Sequence, residues 1–275
     1  MVVQDELIEL RGLRFHYRDW ACSKPDAQDL VLLHGYTGHA RSWDVLAEAM
    51  STDYRVLALD QRGHGESAWA PADAYGTPEM VADLEAFVAA MGLDGFVLLG
   101  LSMGGIVSMG YAGKQPPELA QLIIVDIAPE IAKQGLKKIA ANVARSDVFA
   151  SREEAFARAR EDNPIPPEEH HRHRVYNSLM RNNDGRWTYR YDRALRDADN
   201  TREGIPADEG WWLVSNINVP TLLIRGALSD ILDADVASRM VANIDDCRLV
   251  EVAGSGHPVP LDKPDEFLEA VKTFL

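Results

Sequence analysis

The sequence predicts an α/β fold, a mostly parallel sheet flanked by helices and interrupted once by a helical insertion. Three observations predict it. Short apolar runs of strand length alternate with segments of helical periodicity through the first half of the chain. Those runs are continuously apolar rather than alternating, which suits strands covered on both faces. The rhythm stops after Pro129 and resumes at Thr221.

The strand-like runs in the first half are Leu30–Leu33, Tyr54–Leu59, Phe96–Leu99 and Leu122–Val125. Between them, Thr77–Met91 carries apolar residues at helical spacing, with Thr77 as N-cap and Pro78 at the first helical position. Helical pattern resumes from Met103 to about Lys114. From Ile131 to Ser215 the chain reads as helices and loops with no buried strand, and Asn163-Pro164-Ile165-Pro166-Pro167 forms a stiff turn. Thr221–Arg225 is then a strand, Asp233–Ala242 a helix, Arg248–Val252 a strand and Pro264–Leu275 a final helix. The chain so divides into a body of residues 1–130 and 216–275 and an insertion, 131–215, after about the sixth strand.

A chain of 275 residues with 46% hydrophobic content can bury one large core. Its net charge of −15 repels phosphate backbones and anionic lipid headgroups. The expected partner is a small molecule, not nucleic acid or membrane. The charge is uneven: the insertion holds 15 Lys/Arg and 14 Asp/Glu, the rest 13 and 29. No stretch approaches the roughly 18 apolar residues of a membrane span. The segment Met1 to Glu6 lacks a signal-peptide pattern, and Cys22 and Cys247 are far apart without metal-ligand spacing. Two free thiols in a reducing cytoplasm are the expectation. Oligomeric state has no signal in the sequence.

The strongest chemical signal is Phe96-Val97-Leu98-Leu99-Gly100-Leu101-Ser102-Met103-Gly104-Gly105, an apolar strand, then G-x-S-x-G, then a helix start. A serine on a sharp strand-to-helix turn exposes its hydroxyl, and the flanking glycines permit close chain packing. A serine hydroxyl needs an adjacent base. Of eight histidines, His257 lies in the glycine-flanked loop Gly254-Ser255-Gly256-His257 after the last strand. His170, His171 and His173 lack recognisable metal spacing and read as a solvated helix face. His16 and His39 carry no signal. Gly63-His64-Gly65 is not a dinucleotide fingerprint, so neither cofactor nor metal is expected.

Five motifs in order resemble the α/β-hydrolase superfamily: His34-Gly35-Tyr36, Asp60-Gln61-Arg62-Gly63-His64-Gly65-Glu66-Ser67, the Ser102 motif, Arg225-Gly226-Ala227-Leu228-Ser229-Asp230 and Gly254-Ser255-Gly256-His257. The resemblance implies an α/β-hydrolase fold with an eight-stranded sheet, and a cap over the active site at 131–215. It implies Ser102 as nucleophile, His257 as base and Asp230 as the orienting acid, in the chain order of this fold. Asp126, at the end of Leu122–Val125, stands where some relatives keep that acid; otherwise it is a strand-end carboxylate at the cap hinge. The backbone N–H groups of Tyr36 and Met103 are the expected oxyanion hole, His34 shapes its loop, and Asp60 and Arg62 tie down their own turn.

The implied activity is hydrolysis of a small carboxylic ester or lactone through an acyl-enzyme. Carbon–carbon or amide hydrolysis of a small carboxylated metabolite is the alternative, and a ligand-binding receptor on the same fold a remote one. In the cap, Trp187, Trp211 and Trp212 read as core or as an apolar pocket wall. Arg145, Arg172, Arg174, Arg181 and Arg186 read as paired surface charges or as contacts to an anionic substrate.

Overall fold

The computed structural model describes residues 3–197 and 203–275. Eleven strands run, in chain order, β1 Val3–Leu10, β2 Leu13–Trp20, β3 Asp29–Leu33, β4 Arg55–Leu59, β5 Phe96–Leu101, β6 Leu119–Val125, β7 Val148–Phe149, β8 Leu179–Arg181, β9 Trp187–Tyr189, β10 Thr221–Gly226 and β11 Cys247–Val252 among the described residues. Eight form one sheet in the order β1-β2-β4-β3-β5-β6-β10-β11. From β4 to β11 every neighbouring pair is parallel, and only β1–β2 and β2–β4 are antiparallel. The β1–β2 hairpin escapes a search for apolar runs because β1 alternates exposed and half-buried residues at the sheet edge.

The helices are α1 Asp44–Met50, α2 Thr77–Met91, α3 Met103–Ala112, α4 Lys133–Ala144, α5 Arg152–Asp162, α6 Glu168–Asn177, α7 Ala207–Ser215, α8 Ala234–Asn243, α9 Val259–Asp262 and α10 Pro264–Phe274. Gly76, not Thr77, caps α2. Two apolar cores cover the two faces of the sheet. Leu84, Phe87, Val107, Val214 and Met240 pack on one face. Trp43, Leu46, Phe267 and Val271 pack on the other. With both faces covered, the buried parts of β3, β5 and β6 have no solvated side, which explains the apolar runs Leu30–Leu33, Phe96–Leu99 and Leu122–Val125.

The insertion after β6 is not wholly helical. It contains a three-stranded antiparallel sheet in the order β7-β9-β8, with Phe149 and Leu179 in a small core shared with Phe156 of α5 and Val175 of α6. Strands of two or three residues are too short to leave a periodic signal. α7 belongs to 131–215 by sequence but packs on the body, where Leu213 meets Gly113 and Val214 is fully buried. Among the described residues no helix is long and apolar enough to cross a membrane.

Candidate active site

β5 ends at Leu101 and α3 begins at Met103, leaving Ser102 on the turn with φ +53° and ψ −115°. A non-glycine residue held there costs of order 1–3 kcal/mol and persists only when its surroundings enforce it. Here they do. The Ser102 N–H donates to Val125 O at 3.1 Å, and the backbone of Gly104 lies so close to Leu33 that a Cβ would collide with it. The turn therefore presses the start of α3 against the end of β3, at the carboxyl edge of the parallel strands.

His257 comes from the loop between β11 and α9, and its Nδ1 lies 2.7 Å from Oδ2 of Asp126. This corrects the expectation that Asp230 orients it. Asp230 lies in the loop after β10, the strand next to β6, but its carboxylate accepts from Lys138 Nζ of α4 at 2.7 Å. Asp126 is fully buried at the end of β6, with φ +52°. Its Oδ1 accepts from the Gly226 N–H at 2.8 Å and its Oδ2 from the Ser229 hydroxyl at 2.5 Å. Ser229, not Asp230, faces the β6 carboxylate. Because a carboxylate only accepts, the shared proton is assigned to Nδ1 of His257, leaving Nε2 free to accept one. Ser102 and His257 line the same cavity. Among the described residues no direct hydrogen bond joins them.

The loop after β3 is fixed by His34. Its Nδ1–H donates to Gly35 O at 2.8 Å, and its Nε2 accepts from the Gln61 N–H at 3.0 Å. Burial holds the His34 pKa down at about 4, so the ring is neutral and can play both roles. Gly38 N–H also donates to Gly35 O, at 2.9 Å. A planar trans peptide points its N–H opposite its carbonyl. The Tyr36 N–H is thereby turned away from the His34 side, on a loop where a Gly35 Cβ would stand 3.2 Å from Ser102 Cβ. Met103 opens α3, where backbone N–H groups have no intrahelical acceptor. The Tyr36 hydroxyl donates to Leu195 O at 2.7 Å.

The Asp60 turn also reaches beyond itself. Asp60 is buried, and its oxygens take the Ala40 and Glu66 N–H groups and His16 Nδ1. Arg62 pairs with Asp83 of α2 at 2.5 Å. His16 and His39, silent in the sequence, both tie parts together: His39 Nε2 lies 3.3 Å from the backbone oxygen of Arg174, joining α6 to the loop after β3.

A cavity of about 540 Å³ lies between the insertion and the sheet edge, a volume suited to a small molecule. A narrower compartment of about 90 Å³ adjoins it, and Tyr36, Ser102, Arg174, His257 and Pro258 line both. Among the described residues, none of Trp187, Trp211 and Trp212 lines either compartment. Trp187 stacks on Arg152 and Arg181, Trp211 bonds Glu130, and Trp212 is exposed. Of the α6 histidines, His171 is buried against Phe156 rather than solvated, and His173 pairs with Asp44. Among the described residues no cluster of three metal-binding side chains forms.

The model of the alpha/beta hydrolase family matches residues 30–270. The chain belongs to the alpha/beta hydrolase family. A 3-hydroxybutyrate-oligomer hydrolase of Cupriavidus necator is 30% identical over 95% of this hydrolase and 92% of its own length. An N-formylmaleamate deformylase of Pseudomonas putida is 38% identical over 43% of each chain. The crystal structure of an alpha/beta hydrolase from Novosphingobium aromaticivorans superimposes with a TM-score of 0.88, covering 99% of this hydrolase and 97% of that one at 27% identity.

Proposed function

We propose that the protein is a serine hydrolase that cleaves a small carboxylic ester or lactone through an acyl-enzyme. One observation carries the reading: a buried carboxylate bonded at 2.7 Å to the imidazole that shares a cavity wall with a serine on a strained strand-to-helix turn. In this reading Ser102 Oγ attacks the carbonyl carbon while Nε2 of His257 takes its proton, and Asp126 stabilises the imidazolium. The tetrahedral oxyanion lies against the N–H groups of Tyr36 and Met103, each typically contributing about 10² to 10³ in rate. His257 then protonates the leaving oxygen. Water, losing its proton to His257, attacks the acyl-enzyme, and the proton returns to Ser102 as the acid departs.

The C. necator relative, named for hydrolysing 3-hydroxybutyrate oligomers, supports the ester reading. The P. putida deformylase favours an amide as the second reading. The test is a panel of p-nitrophenyl acetate, lactones and amides with the wild type and Ser102→Ala. Fast multiple turnover is expected, falling by about 10⁴-fold or more in the variant. Undiminished turnover in Ser102→Ala would overturn the mechanism, and a single slow turnover would favour a receptor.

A further inference from the structure

Among the described residues five Lys and Arg side chains line the large cavity, and four are occupied. Lys138 pairs with Asp230 and Arg145 with Asp162. Arg158 donates to Ser146 O, and Arg196 to Tyr191 Oη and to backbone carbonyls. Arg174 differs: its partly buried guanidinium has no hydrogen-bond or ion-pair partner among the described residues. Asp262 is the carboxylate whose field reaches it, but that group is engaged by the Gly256 N–H and the Asn163 amide, both at 2.7 Å.

The narrow compartment sharpens the point. Arg174 lines it together with Ser102, His257 and the Gly35–Tyr36 loop, and among the described residues no Asp or Glu does. His34, also in its wall, is neutral near pH 7. Its lining further includes Trp43, which is 2% exposed and whose indole N–H has no partner among the described residues. An arginine stays charged even where burial pulls its pKa down. A desolvated cation without an anion is costly to keep, and a guanidinium matches a planar carboxylate with two parallel N–H···O bonds.

We propose that Arg174 is a specificity-determining residue that binds a carboxylate on the substrate, so the natural ester carries a free acid group seated in the narrow compartment. This inference rests on Ser102 and His257 being the reacting pair. The His39 contact to the Arg174 carbonyl holds the α6 backbone in place for it.

The experiment compares kcat/KM, by proton release, for two matched pairs: monomethyl glutarate against methyl pentanoate, and 3-acetoxybutyrate against sec-butyl acetate. The pairs place the carboxylate on the acyl or the alcohol side. The expected result is a wild-type preference for the anionic member of at least one pair. Arg174→Met should lower that value about 10- to 100-fold, the scale typical of losing a charge-assisted contact, and leave the neutral ester within about threefold. Arg174→Lys should recover part of it. Circular dichroism and thermal melting confirm that the variants fold. Calorimetric binding of the preferred anionic ester to Ser102→Ala, with and without Arg174→Met, reads the anion site without turnover. Activity surviving in Ser102→Ala would sink the mechanism while leaving that binding result intact. Equal losses for charged and neutral esters, or no anionic preference in the wild type, overturn the Arg174 assignment.

Discussion

Asp126 holds three donors on two oxygens while fully buried: the Gly226 N–H, the Ser229 hydroxyl and His257 Nδ1–H. An asparagine offers only one accepting oxygen, and its NH₂ cannot accept the Nδ1 proton, so the imidazole would lose its orientation and tautomer. Asp126→Asn is expected to lower kcat on p-nitrophenyl acetate about 10⁴-fold, the scale typical of amidating an orienting carboxylate. Asp230→Asn removes an ion pair to an exposed lysine, worth about 0–1 kcal/mol, and should leave kcat within about threefold. Steady-state kinetics on both variants check this, and the reverse ranking would restore Asp230 as the acid. The carboxyl-end motif of β10 drew attention to Asp230 because its neighbours match the hydrolase pattern. Nothing in that short stretch says which way its side chain turns.

The secondary elements around the site differ in how firmly they are held. β3, β5, β6 and β10 lie in the sheet interior, with both faces packed. α4, by contrast, has Gly135 as its only buried residue, while Leu136 and Ile139 are exposed at 50% and 38%. Its Gly135 sits on the Asp230 carbonyl and the Ile231 side chain, and Lys138 reaches Asp230. Little apolar burial means a small free energy of local opening. Amide hydrogen exchange is expected to be fastest in α4, slower in the β7–β9 cap sheet and slowest in β5 and β6. Equal protection of α4 and β5 would count against this ranking. Asp230 thus joins the loop after β10 to α4 along the cavity wall. The cap's minor sheet was illegible in the sequence because strands so short depend on each other, not on a run of their own residues.

At the scale of the whole molecule, buried histidines set the response to acid. Burial lowers His34, His39 and His171 each to about 4, so the native state keeps them neutral while the unfolded chain binds protons from about pH 6.5. Stability therefore falls as pH drops from about 6.5 towards 4, at up to about 4 kcal/mol per pH unit if all three contribute. His16 acts in the opposite direction. Burial would lower it, but the hydrogen bond and charge of Asp60 outweigh that and raise it, so its contribution is present below about pH 6.5 and lost as pH rises through its raised value. Asp60 itself, pushed up by burial but pulled down further by His16 and two backbone N–H groups, rests at about 2; its contribution disappears only as pH falls through that range. Urea midpoints between pH 4.5 and 8.5 should peak near neutrality and decline already above the carboxylate range. A flat profile from pH 4.5 to 6.5 would contradict the three neutral histidines.

The chain's local order determined the parallel sheet, the serine turn and the histidine loop, because each is written in contiguous residues whose apolar runs and glycines act on their immediate neighbours. Tertiary structure alone decided which carboxylate meets His257 and which arginine of the insertion lacks a partner among the described residues. Asp126 and the Asp230 loop follow neighbouring parallel strands, and Arg174 is one of several similar cations. Only the distances between chain segments far apart in sequence distinguish them.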